Sequence, residues 1–151
     1  MAKPIGAELP EEIVAHLSGG HPCAIATIDA AGRPYLSIMA GVVALNSTTL
    51  RMGCWGTGIT AQNIAERRVV TVETLGPRAI SIQCTTRLIR RPMEHSMFPP
   101  HPYTLFEAHV EFVKDDAPPG LQITPMAYSY GKRAEQMIEL EASFLEELIT
   151  A

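Results

Sequence analysis

Cys23-Ala24-Ile25-Ala26-Thr27-Ile28-Asp29-Ala30-Ala31-Gly32-Arg33-Pro34-Tyr35 is the stretch that decides the fold. Its first six residues are a β-rich run, and Asp29-Ala30-Ala31-Gly32-Arg33 is a turn in which Gly32 supplies positive φ at no steric cost. A second apolar run follows over residues 34–45, and Asn46-Ser47-Thr48 turns it into Thr49-Leu50-Arg51-Met52-Gly53-Cys54-Trp55. Parallel strands need crossovers of a dozen residues or more, so three strands joined by loops this short must pair antiparallel.

The flanks extend the pattern. Pro10 with Glu11 and Glu12 suits the first turn of a helix over residues 10–18, which Gly19-Gly20 stops. A short helix is expected over 58–66, from the helical spacing of Ala61, Ile64 and Ala65. Val69-Val70-Thr71-Val72-Glu73-Thr74 reads as a strand from β-branched content, and Gly76-Pro77 turns it into another over 79–89. Pro92, Pro99, Pro100 and Pro102 make 92–103 a loop. Residues 107–113 alternate His109 and Glu111 with Val110 and Phe112, the pattern of a half-buried strand; 121–130 is a weaker one, broken by Pro125. Residues 132–149 close the chain as an amphipathic helix with Ala134, Met137, Ile138, Leu145, Leu148 and Ile149 near one face, which Glu141 interrupts. The expectation is a mainly β protein, a barrel or curled sheet of six or seven strands with flanking helices, in one domain spanning 1–151.

Composition narrows the function classes. With 151 residues the chain is one domain, able to bury about two-thirds of its unfolded surface without disulfides or metal. Twelve Lys and Arg stand against sixteen Asp and Glu, a net charge of −4 that argues against a nucleic-acid coat. Cys23, Cys54 and Cys84 form no CxxC pair and sit among apolar neighbours, as buried thiols in a reducing compartment do. There is no apolar leader segment after Met1 and no run of 18 apolar residues, so the protein is expected to be cytoplasmic, with no membrane partner. Neither HExxH, GxSxG nor a P-loop occurs, which leaves hydrolase and triphosphatase readings without support.

Chemistry concentrates at Trp55-Gly56-Thr57-Gly58-Ile59-Thr60-Ala61-Gln62-Asn63, where a strand runs through a Gly-x-Gly loop into a helix. Glycines let backbone approach a ligand closely, and free N–H groups at a helix start attract an anion. Thr57 and Thr60 add hydroxyls, Asn63 lies one turn on, and a phosphate is the natural guest. The plain alternative is a tight turn with Thr57 as N-cap. The same stretch reads Gly-x-Gly-x-x-Ala, and Glu73 stands where a dinucleotide fold would place its ribose-binding acid; the hairpin-connected strands upstream speak against that unit. Trp55 suits either core packing or the wall of a flat-ring site.

Taken together, residues 24–35, Thr49-Leu50-Arg51-Met52-Gly53-Cys54-Trp55, Thr60-Ala61-Gln62-Asn63-Ile64 and Val69-Val70-Thr71-Val72 resemble, in order and spacing, the pyridoxamine 5′-phosphate oxidase-like, FMN-binding split-barrel family. The resemblance covers roughly residues 17–90. It implies a six-stranded antiparallel split barrel, a homodimer with cofactor sites at its interface, and FMN-dependent oxidoreductase chemistry on a small molecule. By position it carries cofactor binding onto Ser37, Ile38, Met39, Trp55, Gly56, Thr57, Gly58, Thr60, Asn63 and Arg78. Ser37 stands where the oxidase has a phosphate-binding arginine, Gly41 and Thr60 where it has lysines, and Gly58 where it has a serine. Arg78 stands where a glutamine reaches the flavin of the neighbouring subunit. With those cations missing, hydroxyls and backbone amides must hold the phosphate, aided by Arg87 or another arginine. The alternative is a non-catalytic module that stores or senses a flavin, a deazaflavin or haem.

Two other groups carry weaker signals. His95 and His101 share the Pro-rich loop with Met93 and Met97, but their spacing fits no standard metal or haem site, and a loop capping a pocket is the plainer reading. Arg87, Arg90 and Arg91 read as a solvated strand end, or as steering for an anionic cofactor.

Overall fold

A computed structural model describes residues 2–56, 58–90, 103–132 and 134–151, the side chains of Ala134, Glu135 and Met137 excepted. Among them are eight strands and three helices: β1 Lys3–Gly6, α1 Glu11–His16, β2 Cys23–Ile28, β3 Pro34–Met39, β4 Val42–Asn46, β5 Thr49–Trp55, α2 Ile59–Arg67, β6 Val69–Leu75, β7 Ala79–Arg90, β8 Tyr103–Asp115 and α3 Ala134–Thr150. No described helix is long and apolar enough to cross a membrane.

The opening stretch folds as its composition dictates. β2 and β3 pair antiparallel from Cys23 opposite Met39 to Ile28 opposite Pro34. The Asp29 carboxylate fastens the turn, accepting hydrogen bonds from the Ala31 and Arg33 amides and from Arg33 Nε, each at 2.9 Å, while Gly32 adopts φ +80°.

The order β3-β2-β6-β7-β8-β5-β4 explains the barrel. β3 and β4 are the two ends of that path, yet only Ala40 and Gly41 separate them in the chain. A flat sheet of seven strands would hold its ends about 28 Å apart at the usual strand spacing, far beyond two residues. The sheet must curl until its edges nearly meet. The single strand expected over 34–45 is therefore two strands on opposite sides of the split. With β1, which pairs with the far end of β8, this raises the count from the expected six to eight. Residues 121–130 are not a strand: their backbone contributes one bond to the sheet, from the Met126 amide to the Leu75 carbonyl at 2.8 Å.

The main core fills the curl, with Ile25, Val42, Leu50, Met52, Val72, Ile80, Ile82 and Phe106 excluded from solvent and Ile13, Leu17 and Ile64 packed on from α1, its following loop and α2. Each such side chain contributes about 1.5–3 kcal/mol of burial. β8 departs from its expected alternation. Gln83 pairs with Phe112 but Cys84 with Val110, so Glu111 is bulged out and the buried set jumps from Ala108 and Val110 to Val113, leaving Phe112 half-buried.

α3 covers the outside of β4, β5 and β8 through a second cluster, Val43, Leu105, Phe144 and Leu148 with Leu145 beside it. This corrects the expected apolar face: Ile138 and Ile149 are each half-exposed, and Phe144 is the anchor. Arginines tie the helix down. Arg51 Nη1 donates to the Leu148 carbonyl at 3.2 Å and to that of Ala151, where the helix dipole favours a cation. Arg90 ion-pairs with the buried Glu147, and so is a tether for α3 instead of a solvated strand end.

Candidate functional site

α2 starts where the fold needs a sharp exit from β5. The Gly58 amide donates back to the Trp55 carbonyl at 3.0 Å, and Gly58 serves as N-cap without a side-chain hydrogen bond. Thr60, in the first turn, meets Ser37 of β3 hydroxyl to hydroxyl at 3.0 Å. Two positions that the sequence places 23 residues apart thus share one half-buried spot beside a helix start. Asn63 is directed elsewhere: it is buried, and its Nδ2 donates to Thr27 Oγ1 at 3.0 Å, fastening α2 to β2.

α2 does not belong to a dinucleotide-binding unit. The strands on either side of it, β5 and β6, are not neighbours in the sheet, and every pairing is antiparallel. Glu73 instead lies near Ser81, Asp116 and Lys114, with its carboxyl pushed up by burial.

Beside the hydroxyl pair opens a cavity of about 660 Å³, within the range usual for small-molecule sites. Its floor is Met39, Ala40 and Gly41 at the split together with Gly53 and Cys54 of β5. Its walls carry the chain's only tryptophan and three of its four tyrosines, Trp55, Tyr103, Tyr128 and Tyr130, with Phe144, Leu140 and Glu141 from α3. Met39 lies two residues, about 6.6 Å, along β3 from Ser37, and Trp55 abuts the start of α2, so cavity and hydroxyl pair adjoin. The rings are organised: Tyr103 stacks on Phe144 with centroids 4.3 Å apart and meets Trp55 edge-on at 5.9 Å. Trp55 is half-exposed at the rim, a wall and not a core residue.

Two glycines shape the floor. A methyl group at Gly53 would lie 2.3 Å from the Phe144 ring, and one at Gly41 would lie 2.7 Å from it and 2.9 Å from the Gly53 carbonyl oxygen. The flat ring of α3 therefore rests directly on backbone. Among the described residues the cavity holds one ionisable carboxyl, that of Glu141. Burial pushes the Cys54 thiol up to about 12, so it is an unreactive thiol packed 3.9 Å from Met39 Sδ. Burial also raises the Tyr103 hydroxyl and the Glu141 carboxyl.

Of the residues expected at a cofactor, Ser37, Met39, Trp55, Gly58 and Thr60 are brought together. Gly56 is adjacent, its carbonyl accepting from Thr104 Oγ1 at 3.4 Å. Ile38 points to the opposite, outer face of the sheet and is largely exposed. Arg78 lies three strands away, at the entry to β7, paired with Asp115 at 2.6 Å and Glu12 at 3.2 Å, which hold its guanidinium charge firmly. Arg87 pairs with Glu107. Thr57, Arg91, Met93, His95, Met97 and His101 lie outside the described residues. No three described His, Cys, Asp or Glu side chains converge as a metal site. The sequence reading missed Tyr103, at the start of β8, Phe144, on α3, and Tyr128 and Tyr130, whose signal was an aromatic pair in a segment with too little alternation for a strand.

This architecture is that of the pyridoxamine 5′-phosphate oxidase-like split barrels. The chain superimposes on a candidate pyridoxamine 5′-phosphate oxidase from Lactobacillus delbrueckii with a TM-score of 0.60 at 20% identity, over 74% of this chain and 98% of that one. An F420 reductase matches with a TM-score of 0.57 at 13% identity, over 70% and 98% of the two chains. The haem storage protein HutZ from Vibrio cholerae matches with a TM-score of 0.51 at 17% identity, over 69% and 94%. At these identities the likeness is one of fold. No protein-family model and no curated protein sequence matches the chain.

Proposed function

We propose that the protein binds FMN and acts as an FMN-dependent oxidoreductase on a small molecule. The observation that carries this is the meeting of the Ser37–Thr60 hydroxyl pair, at the start of α2, with the aromatic cavity beside it. The donor set fits a flavin phosphate held without arginine or lysine: two hydroxyls that can turn outward, and the first amides of α2. Trp55 and Tyr103 would flank the ring, while the apolar floor keeps water from it. Bound flavin would supply the hydride or electron chemistry, and the chain's own residues would orient it and exclude competing reactions.

The reading includes a homodimer with two cofactor sites at its interface. Leu36 and Ile38 support it: on edge strand β3 they are 67% and 60% exposed, beside Ala24 and Ala26 of β2, a flat apolar face that a second copy would cover. In such a dimer Arg78 would exchange Asp115 and Glu12 for the partner's cofactor.

Titration with FMN, followed by absorbance and ring fluorescence, tests the reading. A lost charge-assisted hydrogen bond costs about 1.5–3 kcal/mol, so Ser37→Ala and Thr60→Ala should each weaken FMN about tenfold or more. Unchanged affinity in both variants would place the phosphate elsewhere. One observation favours the second reading, a non-catalytic module for a flavin, a deazaflavin or haem: among described residues the cavity holds one carboxylate and no acid–base pair. A Soret band on adding haem, without bleaching of bound flavin by reduced nicotinamide, would select it.

A further inference from the structure

Glu141 is the odd residue of the cavity. It lies on the same face of α3 as Phe144, Leu145 and Leu148, at spacings of three, four and seven residues, so the helix that buries those side chains turns Glu141 inward too. Its carboxylate and the Tyr128 ring converge on the loop before β2. Tyr128 donates its hydroxyl to the Gly20 carbonyl at 3.0 Å, and Glu141 Oε1 lies 3.5 Å from where a Gly20 methyl group would stand. Among the described residues Glu141 has no hydrogen-bond or ion-pair partner, and no Lys, Arg or His lines the cavity.

A half-buried carboxylate without a partner is costly, and a bound ligand offsets that cost most fully by bringing a positively charged hydrogen-bond donor. An anionic ligand would add repulsion, and a neutral donor would supply a hydrogen bond without the charge. The surrounding rings favour the same sign. Tyr128 and Tyr130 meet edge-on with centroids 5.6 Å apart, and with Tyr103 and Trp55 they present π surface to the same space, which attracts an ammonium. The chain's net charge of −4 steers cations toward it.

We propose that the cavity takes, beside the flavin, a monocationic amine with a flat or apolar body, its ammonium against Glu141 and its body against Tyr128 and Tyr130. This rests on the reading of the cavity as the protein's ligand chamber and names the substrate class for that chamber: an amine, and not an anionic substrate such as a carboxylate.

Trp55, the only tryptophan, stands at the rim and makes intrinsic fluorescence a local reporter. Three probes share one body and differ in the charge at its end: 4-phenylbutylammonium, 4-phenylbutanol and 5-phenylpentanoate. Titrated into the purified protein, the amine should bind at least about tenfold tighter than the alcohol, and the carboxylate weakest. Glu141→Gln should abolish the amine's advantage while leaving the alcohol unchanged, and Glu141→Asp should retain part of it. Equal binding of the three probes, no binding of any, or an amine preference that survives Glu141→Gln would overturn the proposal. An FMN titration on the same samples separates the two readings: FMN binding without an amine preference sinks only this one, and an amine preference without FMN binding sinks only the flavin.

Discussion

Gly53 and Phe144 form a contact whose energetics can be worked out in both directions. A methyl group at Gly53 would lie 2.3 and 2.5 Å from two atoms of the Phe144 ring and 3.3 Å from Leu148 Cδ2, and those are its three nearest neighbours, all of them α3 side chains. Gly53→Ala should thus cost about 1–3 kcal/mol of overpacking, expressed as a weakened dock of α3. In a Phe144→Ala background, itself destabilised by about 3–5 kcal/mol at a nearly solvent-free site, the obstruction is gone. There the same substitution should turn stabilising by roughly 0.5–1 kcal/mol, because alanine loses less backbone entropy than glycine in a strand. Gly41→Ala is the internal control: its methyl would also meet the Gly53 carbonyl oxygen at 2.9 Å, and backbone does not move aside when Phe144 is truncated. Urea unfolding of the wild type, the three single variants and the two doubles gives both couplings. If Gly53→Ala costs the same with and without Phe144, or if Gly41→Ala is rescued as fully as Gly53→Ala, the packing of α3 onto this floor is refuted.

Asn63→Ala should cost about 1–3 kcal/mol in denaturant unfolding, since it leaves the buried Thr27 hydroxyl without its donor; an unchanged midpoint with weakened flavin would make Asn63 a ligand instead of an anchor. His16 is held below its ordinary value of 6.5, first by burial and then by the charge of His21, whose ring stacks on it at 4.0 Å. The unfolded chain therefore takes up this proton first, and stability should fall as pH drops below about 6.5; melting temperatures measured from pH 7.5 to 5 should lose part of that slope in His16→Gln. Light scattering at micromolar concentration should give a mass near 33 kDa, about twice the 16.4 kDa chain, and Leu36→Glu with Ile38→Glu should halve it; a wild-type monomer that binds flavin tightly would remove the interface from the cofactor site.

The fold was legible wherever local rules and tertiary demands agree. Asp29 and Gly32 fix one hairpin, β-branched residues mark β6, and short loops force antiparallel pairing, so the curled sheet follows from the chain. It failed where long-range geometry decides. Nothing in the apolar run from Pro34 to Leu45 announces that Ala40 and Gly41 bridge the split; that becomes visible only when β3 and β4 are seen at opposite ends of the sheet. β1 is four exposed residues whose strand character comes entirely from β8, and the bulge at Glu111 shifts a burial phase that alternation alone assigns to Phe112.

The candidate site divides along the same line. Thr60 was legible because a Gly-x-Gly turn into a helix has a local signature, Ser37 came only from the family resemblance, and their partnership was supplied by the barrel. The aromatic walls were missed because Tyr128 and Tyr130 lie in irregular chain, where no periodicity reports which way a side chain faces. Glu141 shows what the sequence holds in such a case. On a helical wheel a charged residue inside an apolar stripe counts as a defect, since turning it inward costs desolvation. Phe144 and Leu148 overrule that cost: they lie on the same face, and their burial against Val43 and Leu105 fixes the rotation of the helix. Once that rotation is fixed, Glu141 lines the cavity, half-buried. A packing interaction thus places among rings a carboxylate that has no partner among the described residues, and the placement carries chemical meaning because a stripe completed with leucine would have packed at least as well.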